Sequence, residues 1–271
     1  MAATVAGELA AVPLDASLPS EVEAEFSGPE GKVRREPLRS CWDVRFERVA
    51  PVRTFPSFRG QRNWPGLWWF ARTGEHVGFE SWVERDRLMA FDADPFVVGV
   101  AAQPMWLHWT DVESGRSVRH APDYFARRAD GTGVVVDVRP DERVRAQDAA
   151  VFAATARFCA RVGWQYLRVG ELGPVWAANL HWLAGYRHPR NARPTVMARL
   201  RDTFATPTAL LDGAAAAGER TATLPVLFGM LWRCELTAPV ETDRLGPSTV
   251  VSLGTSAARG NAELPAFGSA G

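Results

Sequence analysis

The segment Val134-Val-Val-Asp-Val-Arg-Pro140 constrains this chain more than any other. Its valines leave no polar alternation, so it reads as a strand buried on both faces. A carboxylate in such a strand needs a partner or a task, because a bare buried charge is costly. Alternation puts Asp137 and Arg139 on one sheet face and turns Val138 to the other, and Pro140 closes the strand.

The elements expected around it build an α/β unit. Leu67–Thr73 and His76–Phe79 form a short hairpin across Thr73-Gly-Glu. Glu80–Phe91 has a helical stripe that Ala93-Asp-Pro95 stops. Strands follow at Val97–Ala101, Met105–Thr110 and Ser117–Arg127, with Asp130-Gly-Thr-Gly133 as the turn into the valine strand. A helix over Ala146–Val162, a strand over Trp164–Val169 and a helix over Pro174–Leu183 complete a mixed sheet flanked by helices. Upstream, Val44–Phe58 alternates at Val44, Phe46, Val49 and Val52, and the stretch from Arg59 to Gly66 is a loop.

Residues 1–40 read as a disordered acidic tail, since the first 31 carry Glu8, Asp15, Glu21, Glu23, Glu25 and Glu30 and no Lys or Arg. Residues 41–186 form the core, and 187–194, with two prolines and three arginines, a basic linker. Residues 195–253 offer helical patterns at Val196–Thr203, Thr206–Ala217 and Thr223–Cys234. A hairpin of Glu235–Ala238 with Thr249–Leu253 completes a winged-helix-like unit. Such units dock on DNA or on protein, and the third helix brings only Arg233 as a charge. Residues 254–271 read as a second loose tail.

The net charge is zero, so no global field draws the chain to a polyanion. Lys32 is the only lysine, which fits a GC-rich coding bias toward Arg. Eleven Trp are many for this length, and Trp68, Trp69, Trp106, Trp109, Trp164, Trp176 and Trp182 suggest an aromatic core before they suggest base stacking. Cys41, Cys159 and Cys234 have no C-x-x-C spacing, so neither a zinc knuckle nor a disulfide framework is implied. No apolar run reaches the ~18 residues of a membrane span, and no secretory leader is evident. The expectation is a cytoplasmic protein with no membrane partner.

Four side chains carry the chemistry: Glu84, Asp123 in His120-Ala-Pro-Asp-Tyr-Phe125, Asp137, and Arg139. A carboxylate on a helix, then Pro-Asp, then acid-x-base on a strand resembles the PD-(D/E)xK nuclease pattern, with Arg139 where Lys is usual. Hydrolysis of a phosphodiester needs an activated water and neutralised phosphate charge, which Mg²⁺ supplies and for which Mn²⁺ substitutes. Glu84, Asp123 and Asp137 are the expected metal ligands, with Glu80 as the alternative first acid. Arg139 stays protonated, so its expected role is electrostatic and not that of a base. His120 is expected to be structural before it is a phosphate contact.

From about Arg59 to Arg190 the chain resembles the TnsA-like endonuclease subunit of heteromeric transposases. The resemblance rests on Phe79-Glu-Ser-Trp-Val-Glu-Arg-Asp-Arg-Leu88, Asp94-Pro-Phe-Val-Val-Gly-Val-Ala-Ala-Gln-Pro104, His120–Phe125 and Val136-Asp-Val-Arg-Pro140. It implies a restriction-endonuclease-like fold and a metal-dependent enzyme that cuts one strand of double-stranded DNA at transposon ends. It also implies a DDE-type transposase subunit and an AAA+ regulator as partners. By residue match, Glu84, Asp123 and Asp137 take the metal site and Arg139 the Lys position. Two alternatives stay open: a non-catalytic DNA-binding assembly subunit, and a stand-alone restriction or repair nuclease.

Overall fold

A computed structural model describes residues 21–28, 31–54, 64–112 and 114–254. It is a mixed α/β structure with several antiparallel pairings. The central sheet has the order β10-β9-β8-β5, from β5 (Val97–Ala102), β8 (Tyr124–Arg128), β9 (Gly133–Val138) and β10 (Gln165–Val169). Strands β5, β8 and β9 run antiparallel, and β10 joins β9 in parallel. A parallel neighbour requires a crossover, here the helix α2 (Ala146–Arg161).

Every residue of β9 is buried, as the valine run predicts. Val134, Val136 and Val138 join a cluster with Leu88 and Phe91 of α1 (Trp82–Ala93) and Leu180 and Leu183 of α3 (Pro174–Ala184). Val135 faces the other way, toward Phe158 and Cys159 of α2. Below that second face lies another sheet, β2-β1-β6-β7. It consists of β1 (Glu23–Ser27), β2 (Val33–Pro37), β6 (Trp106–Thr110) and β7 (Ser117–His120).

That second sheet corrects the reading of residues 1–40 as a disordered tail. Residues 23–27 are a strand paired with both β2 and β6. Ala24 and Phe26 are buried, and Phe26 meets Phe46 edge-on at 5.0 Å. The acids Glu23 and Glu25 are the outer half of a period-two alternation, and their density masked it. Residues 1–20 and 255–271, including most of the expected C-terminal tail, lie outside the described residues.

The expected strand Ser117–Arg127 is in fact two strands. Pro122 cannot donate to a ladder, and the chain turns there from β7 in one sheet to β8 in the other. The alternating stretch from Val44 is irregular, with a single 3-10 turn at Phe46–Arg48. Its end from Phe55, and most of the loop before Gly66, lie outside the described residues. The hairpin of β3 (Gly66–Phe70) and β4 (Glu75–Phe79) turns at Gly74, whose φ of 74° suits glycine.

Residues 187–194 are not a free linker. The Arg187 guanidinium lies 4.0 Å over the Trp68 ring and 3.8 Å from Asp92. Pro189–Asn191 forms a 3-10 turn, and Pro194 opens α4 (Pro194–Thr203). Beyond it come β11 (Thr208–Ala209), α5 (Leu210–Ala217), α6 (Arg220–Trp232), β12 (Leu236–Thr237) and β13 (Val250–Leu253). The three strands form a small sheet of order β11-β13-β12. The second helix therefore starts at Leu210, later than the expected Thr206, because Thr208 and Ala209 pair with β13. One buried cluster runs from Trp68 in β3 to Val251 in β13, so this unit shares its core with the central sheet. Among the described residues no helix is long and apolar enough to cross a membrane.

Two predictions follow from this packing. Phe26→Ala removes a fully packed ring and should lower the unfolding free energy in urea by about 3 kcal/mol; a loss below about 0.5 kcal/mol would mean that the strand is not docked. The second concerns Asp92, buried at the end of α1, which accepts from Trp68 Nε1 at 3.0 Å and from Ala71 N at 2.8 Å. Burial outweighs these bonds and pushes its carboxyl up to about 6. The folded state thus holds the proton more tightly than the unfolded chain, so stability from Asp92 is present at low pH and lost as pH rises toward 6. Stability of the wild type minus that of Asp92→Asn should fall by about 2–3 kcal/mol between pH 4 and 6.5. A difference independent of pH would refute this assignment.

Candidate functional site

The site is assembled where α1 begins and where β8 and β9 meet. Ser81 caps α1, accepting from Glu84 N at 3.3 Å. Glu84 answers with both oxygens: Oε2 accepts from Glu80 N at 2.7 Å and Oε1 from the Ser81 hydroxyl at 2.8 Å. Ser-x-x-Glu is thus a reciprocal cap, a structural reason for that spacing. Burial raises the Glu84 carboxyl and the Glu80 charge adds to this, against the pull of the capping bonds.

Glu80 differs. Its Oε2 pairs with Arg53 at 2.7 Å, while its buried Oε1 has no hydrogen-bond partner among the described residues. Of the two glutamates, Glu80 is the one with an oxygen to spare.

Asp123 follows the turn-forming Pro122 and enters β8. Its Oδ2 accepts from Val138 N at 2.7 Å, and its carbonyl accepts from Gln103 N at 2.9 Å. The side chain is therefore clamped to the last residue of β9. Burial, then the Asp137 and Glu84 carboxylates, hold the Asp123 carboxyl well above the usual range, with Arg139 opposing them. Tyr124 lies among the same groups: its hydroxyl donates to Gly78 O at 3.2 Å. Burial pushes that phenol far up, and Glu84, Asp123 and Glu80 push it further. The structure therefore brings Glu80, Glu84, Asp123, Asp137 and Arg139 into one electrostatic neighbourhood.

It does not bring them to one point. Asp137 is buried on the α2 side of the sheet, where both of its oxygens lie 2.9 Å from His120 Nε2 and Oδ2 accepts from the Tyr166 hydroxyl at 2.8 Å. Glu84 comes from α1 on the opposite face. Among the described residues no group of three or more His, Cys, Asp and Glu side chains is spaced to hold a metal ion. Glu84, Asp123 and Asp137 thus form no such group in this geometry, since strand alternation places Asp137 on the α2 side of the sheet and Glu84 comes from α1. His120 packs edge-on against Phe152 at 6.0 Å and reaches Asp137 with Nε2.

Arg139 lies one residue past β9 and is exposed. Its N–H donates to Val169 O at 2.7 Å, and its carbonyl accepts from Arg168 at 3.1 Å. The backbone at the acid-x-base position is held, and the guanidinium is left at the surface.

Tyr124, Tyr166 and Arg53 were not singled out in the sequence. Tyr166 had the clearest signal, as a tyrosine in the strand that follows α2. Arg53 had no signal, because it meets Glu80 only through the tertiary fold.

Comparison of the chain with protein-family profiles and with curated proteins finds no match.

Tyr166→Phe leaves a buried Asp137 oxygen short of one donor. It should cost about 1–3 kcal/mol in thermal or urea unfolding. No loss would mean that the hydroxyl bond is not formed.

Proposed function

We propose that the chain is a metal-dependent DNA endonuclease subunit that cuts one strand at transposon ends, within a heteromeric transposase of the TnsA-like kind. The observation that carries this is the crowding of carboxylates around Asp123 at the mouth of β8 and β9. Carboxylates repel one another, and a fold tolerates their gathering where a cation offsets the charge. Their donors are hard oxygens, suited to Mg²⁺ or Mn²⁺, and the spare Oε1 of Glu80 adds a buried acceptor that lacks a donor. Asp123, with Glu80 or Glu84, would hold the ion. Bound there, it would supply Lewis acidity toward the phosphodiester and an acidified water.

The chain's own residues do the rest. Asp123 is fixed by Val138 N, so its second oxygen has a set direction. Arg139 supplies a permanent cation for charge that develops on the phosphate, and it cannot take a proton. Asp137, caged by His120 and Tyr166, holds the end of β9 in place.

Support for a restriction-endonuclease-like fold comes from the order helix, three antiparallel strands, helix, parallel strand that surrounds the site. Helix, strand, helix, helix and two strands after residue 193 support a winged-helix-like unit. Its third helix α6 is almost wholly buried from Thr223 to Trp232, which leaves it little surface for base reading. A DDE-type transposase subunit and an AAA+ regulator are the partners this reading names.

A second reading, a non-catalytic DNA-binding assembly subunit, is favoured by one observation. Asp137 and Glu84 have all their oxygens engaged, and no three-ligand cluster forms among the described residues.

Calorimetric titration of Mn²⁺ separates the two. Wild type should bind saturably, and Asp123→Ala should lose binding and strand cleavage while keeping its circular dichroism. Glu84→Gln preserves a capping side chain, so it should keep stability within about 0.5 kcal/mol and still lose at least tenfold in cleavage. Cleavage by Asp123→Ala at the wild-type rate would end the nuclease reading.

A further inference from the structure

The loop that leaves β9 is rich in cations. Arg139, Arg143 and Arg145, with Glu142, Val144 and Asp148, line one hollow of about 490 Å³ between the end of β9 and the start of α2. All three arginines are exposed. Among the described residues none of them is ion-paired or hydrogen-bonded through its guanidinium. The acids of the loop do not neutralise them. Asp141 pairs with Arg168 at 2.6 Å, and Asp148 folds back to accept from Arg145 N at 3.2 Å, which caps α2. Glu142 is the one carboxylate of the wall not engaged in this way, against three guanidinium groups.

A fourth cation lies behind the loop. Arg87 of α1 is 4% exposed and donates to the carbonyls of Gly170 and Glu171 at 2.6 and 3.0 Å. Its buried Nη1 has no partner among the described residues. Gly170 rests on the same loop, since a Cβ there would meet Pro140 Cα at 3.3 Å. A buried cation without a counter-ion is costly, and its charge adds to that of the open arginines. The hollow adjoins the candidate site through Arg139, whose charge acts on the Asp123 carboxyl and whose N–H is held by Val169 O.

We propose that this hollow binds a backbone phosphate of the DNA strand, the neighbour of the phosphate at Asp123, with Arg143 and Arg145 as its donors. The proposal rests on the endonuclease reading. A guanidinium presents a planar fork of donors that matches phosphate oxygens, and it stays charged at any working pH. A phosphate contact gives affinity largely by releasing counterions, and it positions the strand without reading its sequence.

The test is fluorescence anisotropy of a labelled duplex in EDTA over a series of salt concentrations. The variants are Arg143→Gln with Arg145→Gln, the same pair changed to Lys, and Arg116→Gln with Arg220→Gln as a control away from the hollow. The Gln pair should flatten the plot of log affinity against log salt by about 1, the value for one lost phosphate contact. The change should be equal for two unrelated duplex sequences. The Lys pair keeps the charge and should keep the slope, and the control pair should leave it unaltered. Arg143→Gln alone repeats the test without touching the start of α2, in case the pair misfolds. An unchanged slope overturns the proposal. So does an equal loss in the control pair, which would mean diffuse attraction, or a wild type that binds no duplex. Free phosphate is the other source of the same chemistry. Calorimetric binding of inorganic phosphate that the Gln pair loses, with DNA binding unaffected, would overturn the proposal too. Neither metal nor cleavage enters the assay. A protein that shows the slope change but never cuts keeps this proposal and loses the endonuclease reading; one that cuts while the slope stays unchanged does the reverse.

Discussion

The β8–β9 ladder, closed at its open end by the bond from Val138 N to Asp123, is the constraint on which the rest depends. Strand β9 is buried on both faces, so it must have a layer above and a layer below. One layer is α1, α3 and the C-terminal unit; the other is α2 with the second sheet. The mouth of this ladder is also where the chain passes from one sheet to the other, through Pro122. The corner that the topology demands and the acid clamped to the end of β9 are adjacent residues.

Much of this architecture was legible because it is periodic. The valine run announced a doubly buried strand, and Asp94-Pro95 marked the end of α1 within two residues. What failed, failed for physical reasons. The strand at Glu23–Ser27 was hidden by acids on its wet face, and two short strands merged across Pro122 because only residues 121–123, with the proline at their centre, separate them. The sequence proposed the members of the candidate site and left their arrangement open. Glu84, Asp123, Asp137 and Arg139 are neighbours, yet the periodicity that placed Asp137 also turned it to the α2 face. The choice between Glu80 and Glu84 depends on hydrogen bonds to Arg53 and Ser81, and only the first of these is long-range.

Asp137 illustrates how one residue answers two demands. A carboxylate this deep costs several kcal/mol unless its oxygens are met. His120 and Tyr166 meet both, from β7 in the second sheet and from β10 in the central one. Those contacts tie the two sheets together at the end where Asp123 sits.

The C-terminal unit is bound to the same frame. Arg187 stacks on Trp68 and approaches Asp92, and Asn179 of α3 donates to the carbonyls of Val240 and Asp243 at 2.7 and 2.8 Å. Helix α3 therefore touches the central sheet on one side and the loop before β13 on the other. Because the core is continuous, α3 links the C-terminal unit to α1, whose N-terminal end carries Glu80 and Glu84. The glutamates lie on a helix that packs against α3, whereas Asp123 is clamped to the sheet.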